Sequence, residues 1–134
     1  MRPVPNPPPL RLALPKGRMQ AGVETLLTEA GVRVAAGARN YRPRLGLEGF
    51  EAKLLKPQNV VEMLAQGSRE VGFAGADWVA ELDAGLVELV DTGLDPVRIV
   101  AAAPTGLLER GELPRRRLVV ASEYERLARR WIEA

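Results

Sequence analysis

The sequence contains no cysteine and no histidine, and only 4% of its residues are aromatic. Without thiols or imidazoles the chain can form no disulfide, no Cys/His zinc cluster, no thiolate nucleophile and no histidine general base. Any chemistry has to rest on Arg, Lys, carboxylates, hydroxyls and the backbone. Long apolar runs are missing too: the longest, residues 99–103, is far short of the ~20 residues that a membrane helix needs. Nor is there an excess of one charge, since 19 Lys and Arg stand against 17 Asp and Glu and the basic residues are spread along the chain. Charge therefore gives no reason to expect a nucleic-acid partner, and hydropathy gives none to expect a membrane. Pro3, Pro5, Pro7, Pro8 and Pro9 interrupt the first residues, which lack the continuous apolar stretch of a secretory signal and read as a polyproline-like tail over 1–9. The expected setting is cytoplasmic.

What is present is a chain of 134 residues, 46% of them apolar, enough for one sizeable core. Apolar residues alternate around Arg11 over 10–14 and stop at Pro15. Val23, Leu26, Leu27 and Ala30 then recur at helical spacing up to Gly31. Residues 50–55 read as a second strand, and Pro57 opens a helix whose apolar face is Val60, Val61, Leu64 and Ala65, closed by Gly67. Residues 71–74 suggest a short buried strand, Trp78, Val79 and Leu82 a short helix, and 86–90, 97–103 and 117–121 three more strands. Ser122 and Glu125 form the S-x-x-E pattern of a capping box at the start of a last helix. Strands alternating with helices predict an α/β protein with a mostly parallel sheet, which takes its ligands beyond the carboxyl ends of the strands.

The turns after strands are therefore the places to search. Lys16-Gly17-Arg18 lies between the first strand and the first helix, where open N–H groups and the helix dipole already favour an anion. Two cations there carry a penalty of about 0.3–1 kcal/mol each, which a phosphate would remove; the alternative is a solvated loop whose side chains point away. Arg39, Arg42 and Arg44 crowd the loop before the second strand, and guanidinium groups donate to phosphate oxygens in a bidentate fork. A solvated basic loop is again the alternative. Lys56-Pro57 stands at the next strand-to-helix junction and Gly72-Phe73-Ala74-Gly75-Ala76-Asp77 at the third, where Asp77 suits helix capping as well as ligand binding. Arg115, Arg116 and Arg117 read as a solvated turn, and Trp78 and Trp131 as core or interface residues.

In order along the chain, "LALPKGRM" at 12–19, "LLKPQNVVEMLAQG" at 54–67, "VGFAGADWVAE" at 71–81, "LVELVDTG" at 86–93 and "RIVAAAP" at 98–104 resemble the catalytic chain of ATP phosphoribosyltransferase, the first enzyme of histidine biosynthesis. The resemblance covers nearly everything after the proline tail, and Leu-Pro-Lys-Gly-Arg is its most specific piece. It implies a type II periplasmic-binding-protein-like α/β fold, with a first lobe over 10–94 and an incomplete second lobe over 95–134. It also implies a transferase reaction, in which N1 of the adenine of ATP displaces pyrophosphate from C1 of phosphoribosyl pyrophosphate (PRPP). Mg2+ would arrive on the substrate and not on protein ligands.

By the same resemblance Lys16, Gly17 and Arg18 would face the pyrophosphate. Arg42, or else Arg39, would clamp it, and Lys56, Pro57, Gly75 and Asp77 would line the nucleotide pocket. Arg18 and Arg42 are the candidates for the catalytic role. The implied partners are ATP and PRPP, with a homo-oligomer or a hetero-oligomer containing a regulatory subunit. The family's sugar-phosphate loop, D-x-V-x-T-G-x-T-L, does not occur in the sequence, and Val90-Asp91-Thr92-Gly93-Leu94 matches part of it at the end of an earlier strand. Turnover by this chain alone is therefore not expected. A non-catalytic nucleotide- or phosphate-binding module and an assembly partner of the same fold stay open as alternatives.

Overall fold

A computed structural model of the chain describes residues 7–35 and 41–134. The elements follow in the order β1 (Leu10–Pro15), α1 (Gln20–Glu29), β2 (Val34–Ala35), β3 (Arg44–Leu45), β4 (Phe50–Leu55), α2 (Pro57–Ala65), β5 (Val71–Gly72), α3 (Ala76–Glu81) and α4 (Glu125–Glu133). Short 3-10 turns cover Gly17–Met19 and Thr105–Leu107. The chain divides into two compact units, Met1–Pro96 and Val97–Ala134.

The first unit is built on a three-stranded parallel sheet in the order β4-β1-β5. Period-two alternation along β1 sends Leu12 and Leu14 to one face and Ala13 to the other. Leu12 and Leu14 pack with Val23 of α1 and with Ala52 and Leu54 of β4, whereas Ala13 and Leu55 meet Val60 of α2. Both faces of the sheet are thus covered, which is why β1 has no polar residue between Leu12 and Pro15. The α/β class with a parallel sheet is as the sequence indicates. A small antiparallel pair, β2 with β3, was not anticipated; each strand is only two residues long, too short to show a period.

At the amino edge of the sheet, Arg11 and Glu70 tie β1 to the turn before β5. Arg11 Nε donates to Glu70 Oε1 at 2.9 Å, Arg11 NH2 donates to the Gly67 carbonyl at 3.2 Å, and Glu70 N donates to the Arg11 carbonyl at 2.9 Å. These side-chain and backbone hydrogen bonds from Arg11 hold the Glu70 carboxyl well below its ordinary value, at about 2. Arg69 beside it is buried, and its Nε has no hydrogen-bond partner among the described residues.

Three expected strands do not form. Residues 86–90, 97–103 and 117–121 have no ladder partner among the described residues, and a strand exists only through such pairing. Their apolar side chains are left open, with Val87 84% and Val119 93% exposed. The capping box at α4 does not close either. Ser122 Oγ accepts from Tyr124 N at 2.9 Å, two residues on, and the helix begins two residues later than the box would start it, with Tyr124 at its cap, while Glu125 pairs forward with Arg129 at 3.0 Å.

Candidate functional site

In-register parallel pairing sets Pro15 opposite Leu55, so β1 and β4 end at the same level. Lys16 N donates to the Leu55 carbonyl at 2.8 Å, which continues the ladder one step past the strands. Lys16 and Lys56 consequently leave adjacent strands side by side. On the other side of β1, Phe73 N donates to the Ala13 carbonyl at 3.1 Å, and the chain turns through Gly75 into α3. The three strand-to-helix turns read from the sequence therefore lie next to one another along one sheet edge.

Each turn has a local reason for its shape. Gly17 takes φ of +83°, a left-handed value that strains any residue with a side chain, and so opens the 3-10 turn that leads into α1. Lys56 precedes Pro57, whose missing N–H costs nothing at the first helical position of α2. A Cβ added to Gly75 would meet the Asp77 carboxylate, so a larger residue there would make that acid shift from its place over the start of α3. Neither α1 nor α2 has an acidic residue in its first turn or a side-chain hydrogen bond at its cap. Their leading amide groups are thus unclaimed by side chains and face a cationic edge, an arrangement that suits an anion.

Two residues that sequence reasoning did not single out hold the cations of the first turn. The Lys16 ammonium lies over the Tyr41 ring, 3.7 Å from its centroid. Tyr41 is fixed in turn by its backbone, whose carbonyl accepts from Leu54 N at 2.7 Å. An aromatic ring attracts a cation by its quadrupole, worth about 0.5–1 kcal/mol at an exposed position, and leaves the positive charge uncancelled. Arg18 NH2 donates to Asp95 Oδ1 at 2.9 Å, in a pair whose arginine side chain is 72% exposed. Neither partner carries a local signal, because each comes from a distant loop.

Lys16, Gly17, Arg18, Lys56, Pro57, Gly75 and Asp77 all fall on this edge. Arg42 follows Tyr41 on the loop leading to β3 and is exposed, and Arg39 lies outside the described residues. Asp91 Oδ1 accepts from Gly93 N at 2.9 Å and Thr92 Oγ1 from Leu94 N at 3.4 Å, so the segment that mimics a phosphate loop spends its side chains on its own turn. Among the described residues, no cluster of three or more Asp and Glu could hold a metal ion, and no helix is long and apolar enough to cross a membrane.

Fold and turns together define a parallel α/β protein with helices on both faces of its sheet and cationic turns gathered at the carboxyl ends of its strands. The chain belongs to the ATP phosphoribosyltransferase family: the family described as HisG, ATP phosphoribosyltransferase, matches residues 56–134. That match takes in Lys56, Pro57, Gly75 and Asp77 and begins after Lys16, Arg18 and Arg42. Among curated relatives, an ATP phosphoribosyltransferase of Chlorobaculum parvum is 35% identical over 100 residues, 71% of this chain and 34% of the relative. One from Pelodictyon phaeoclathratiforme is 30% identical over 128 residues, 92% of this chain and 44% of the relative. A solved structure, the ATP phosphoribosyl transferase (HisG:HisZ) complex from Thermotoga maritima, is similar with a TM-score of 0.52 and 27% identity, over 60% of this chain and 39% of that one. The chain thus spans less than half the length of these relatives.

Proposed function

We propose that this chain carries the phosphate-binding first part of an ATP phosphoribosyltransferase catalytic unit, acting in the opening step of histidine biosynthesis. The observation that carries the reading is the gathering of Lys16, Arg18 and Lys56 at adjoining strand ends, beside helix starts with no acidic residue, in a chain of this family. In the transfer, the C1–O bond of PRPP to pyrophosphate breaks as adenine N1 of ATP bonds to C1. Positive charge grows on the sugar while negative charge grows on the departing pyrophosphate. Cations already fixed where that charge develops lower the barrier without reorganising during the reaction. Lys16 and Arg18 take this role, and Arg42 or Arg39 closes on the same group. Lys56, Pro57, Gly75 and Asp77 line the nucleotide side. Magnesium enters as part of the pyrophosphate-bearing substrate.

The second unit, Val97–Ala134, is on this reading the start of the second lobe of a type II periplasmic-binding-protein-like fold. The likeness to a HisG:HisZ complex supports a hetero-oligomer with a regulatory subunit as the assembly. The exposed apolar side chains of Val97, Ile99, Val100 and Val119 favour a second reading, in which the chain serves assembly and binds no substrate.

Calorimetric titration with ATP and with magnesium PRPP, beside Arg18→Ala, separates the two. The expected result is saturable binding of PRPP that the substitution weakens roughly 10-fold or more, as loss of a charge-assisted hydrogen bond does. If neither ligand binds, the assembly reading stands.

A further inference from the structure

Arg18 is bound to Asp95, a residue that no motif of the chain marks out, 77 positions away in sequence. We propose that Asp95 is a positioning residue for Arg18: its carboxylate presets the guanidinium at the β1–α1 turn so that a pyrophosphate group meets it already aimed. The proposal deepens the phosphate-binding reading of that turn and rests on it.

Three observations support it. The first is geometric. Arg18 has a long side chain, 72% exposed, with many rotamers open to it, yet one nitrogen is held at 2.9 Å by the Asp95 carboxylate, whose side chain is 32% exposed. A single hydrogen bond from NH2 leaves most of the guanidinium N–H donors available to a ligand. The second concerns how Asp95 is held. Leu94 packs against the core cluster of Leu12, Leu14 and Val23, and its Cδ2 lies 3.6 Å from where a side chain on Gly22 of α1 would begin. That anchor on the same helix that follows Arg18 fixes the acid relative to the turn it serves.

The third is backbone conformation. Asp95 adopts φ of +44°, left-handed and uncommon for any residue other than glycine. Asp is among the few residues with a side chain that take this conformation readily, and Leu94 beside it is packed against the core, so the turn that carries the acid is held in place.

Simple electrostatics predicts the opposite influence on an anion. A carboxylate next to the cation lowers the local positive potential, so removing its charge should tighten anion binding if Asp95 were only a counter-charge. The sign of the effect therefore decides the matter. Asn shares the shape of Asp and also tolerates left-handed φ, which makes Asp95→Asn a substitution of charge and not of fold.

The test is a double-mutant cycle on magnesium pyrophosphate affinity by calorimetry, with wild type, Arg18→Ala, Asp95→Asn and the double variant. The expected result is that Asp95→Asn weakens binding about 3- to 5-fold, the scale of an exposed ion pair, and adds nothing in the Arg18→Ala background. Equal or tighter binding by Asp95→Asn overturns the proposal and makes Asp95 a competing counter-charge. The same loss in both backgrounds also overturns it, since the acid would then act through the loop and not through Arg18. The Arg18→Ala variant alone tests the underlying reading: if it binds as the wild type does, or if the wild type does not bind, the turn is not a phosphate site and the proposal falls with it.

Discussion

Lys16 is held by a neutral ring and Arg18 by a carboxylate, so the two cations of one turn differ in how much charge they present. Lys16 keeps its full charge over Tyr41. Tyr41→Leu should weaken magnesium pyrophosphate binding about 2- to 5-fold, the equivalent of an exposed cation–π contact, whereas Tyr41→Phe keeps the ring face and should bind as the wild type. Calorimetry on the two variants checks this, and equal loss in both would assign the effect to the hydroxyl instead. At this scale the sequence was legible where a residue conflicts with its own surroundings. Lys16 and Arg18 stand out because cations at a helix start are out of place, and Gly17 because the turn between strand and helix is tight. Tyr41 and Asp95 were not legible, because nothing local records what a side chain meets in a distant loop.

Helices and strands show the same division. β1, β4, α1 and α2 carry complete periodic patterns and bury them against each other, and all four stand where the patterns put them. Residues 86–90, 97–103 and 117–121 carry strand-like patterns too, but a pattern states only which face would be buried and not whether a neighbour is there to pair. The Ser122–Glu125 box failed for a related reason: the hydroxyl found a nearer amide in Tyr124.

The Arg11–Glu70 link belongs to this scale, since it fastens β1 to the turn before β5. Glu70 in the folded chain titrates at about 2, below its ordinary 4.5. A depressed carboxylate contributes stability that is present above the ordinary value and is lost as pH falls from there through the folded one. Denaturant melts of wild type and Glu70→Gln should therefore differ at neutral pH and converge between about pH 4.5 and pH 2. A gap that stays constant across that window would mean that the carboxylate's charge is not what Arg11 holds.

The first unit has a covered parallel sheet, a shared strand-end level and a cationic edge. The second unit has a turn of 3-10 helix at Thr105–Leu107 and the helix α4, joined by segments without regular secondary structure, and exposes Trp131 and Ile132 on α4. The family match at residues 56–134 takes in all of the second unit and part of the first, and the chain spans 34% and 44% of the two cited relatives. The central claim is that the β1–α1 and β4–α2 turns form one anion site. Amide chemical shifts followed during titration with magnesium pyrophosphate test it most directly. The account expects saturable changes concentrated at Gly17, Arg18 and Met19 and at Pro57's neighbours Lys56 and Gln58, with the amino-edge residues Arg11 and Glu70 unmoved. Changes scattered over the basic surface, or centred on Arg115 to Arg117, would contradict it.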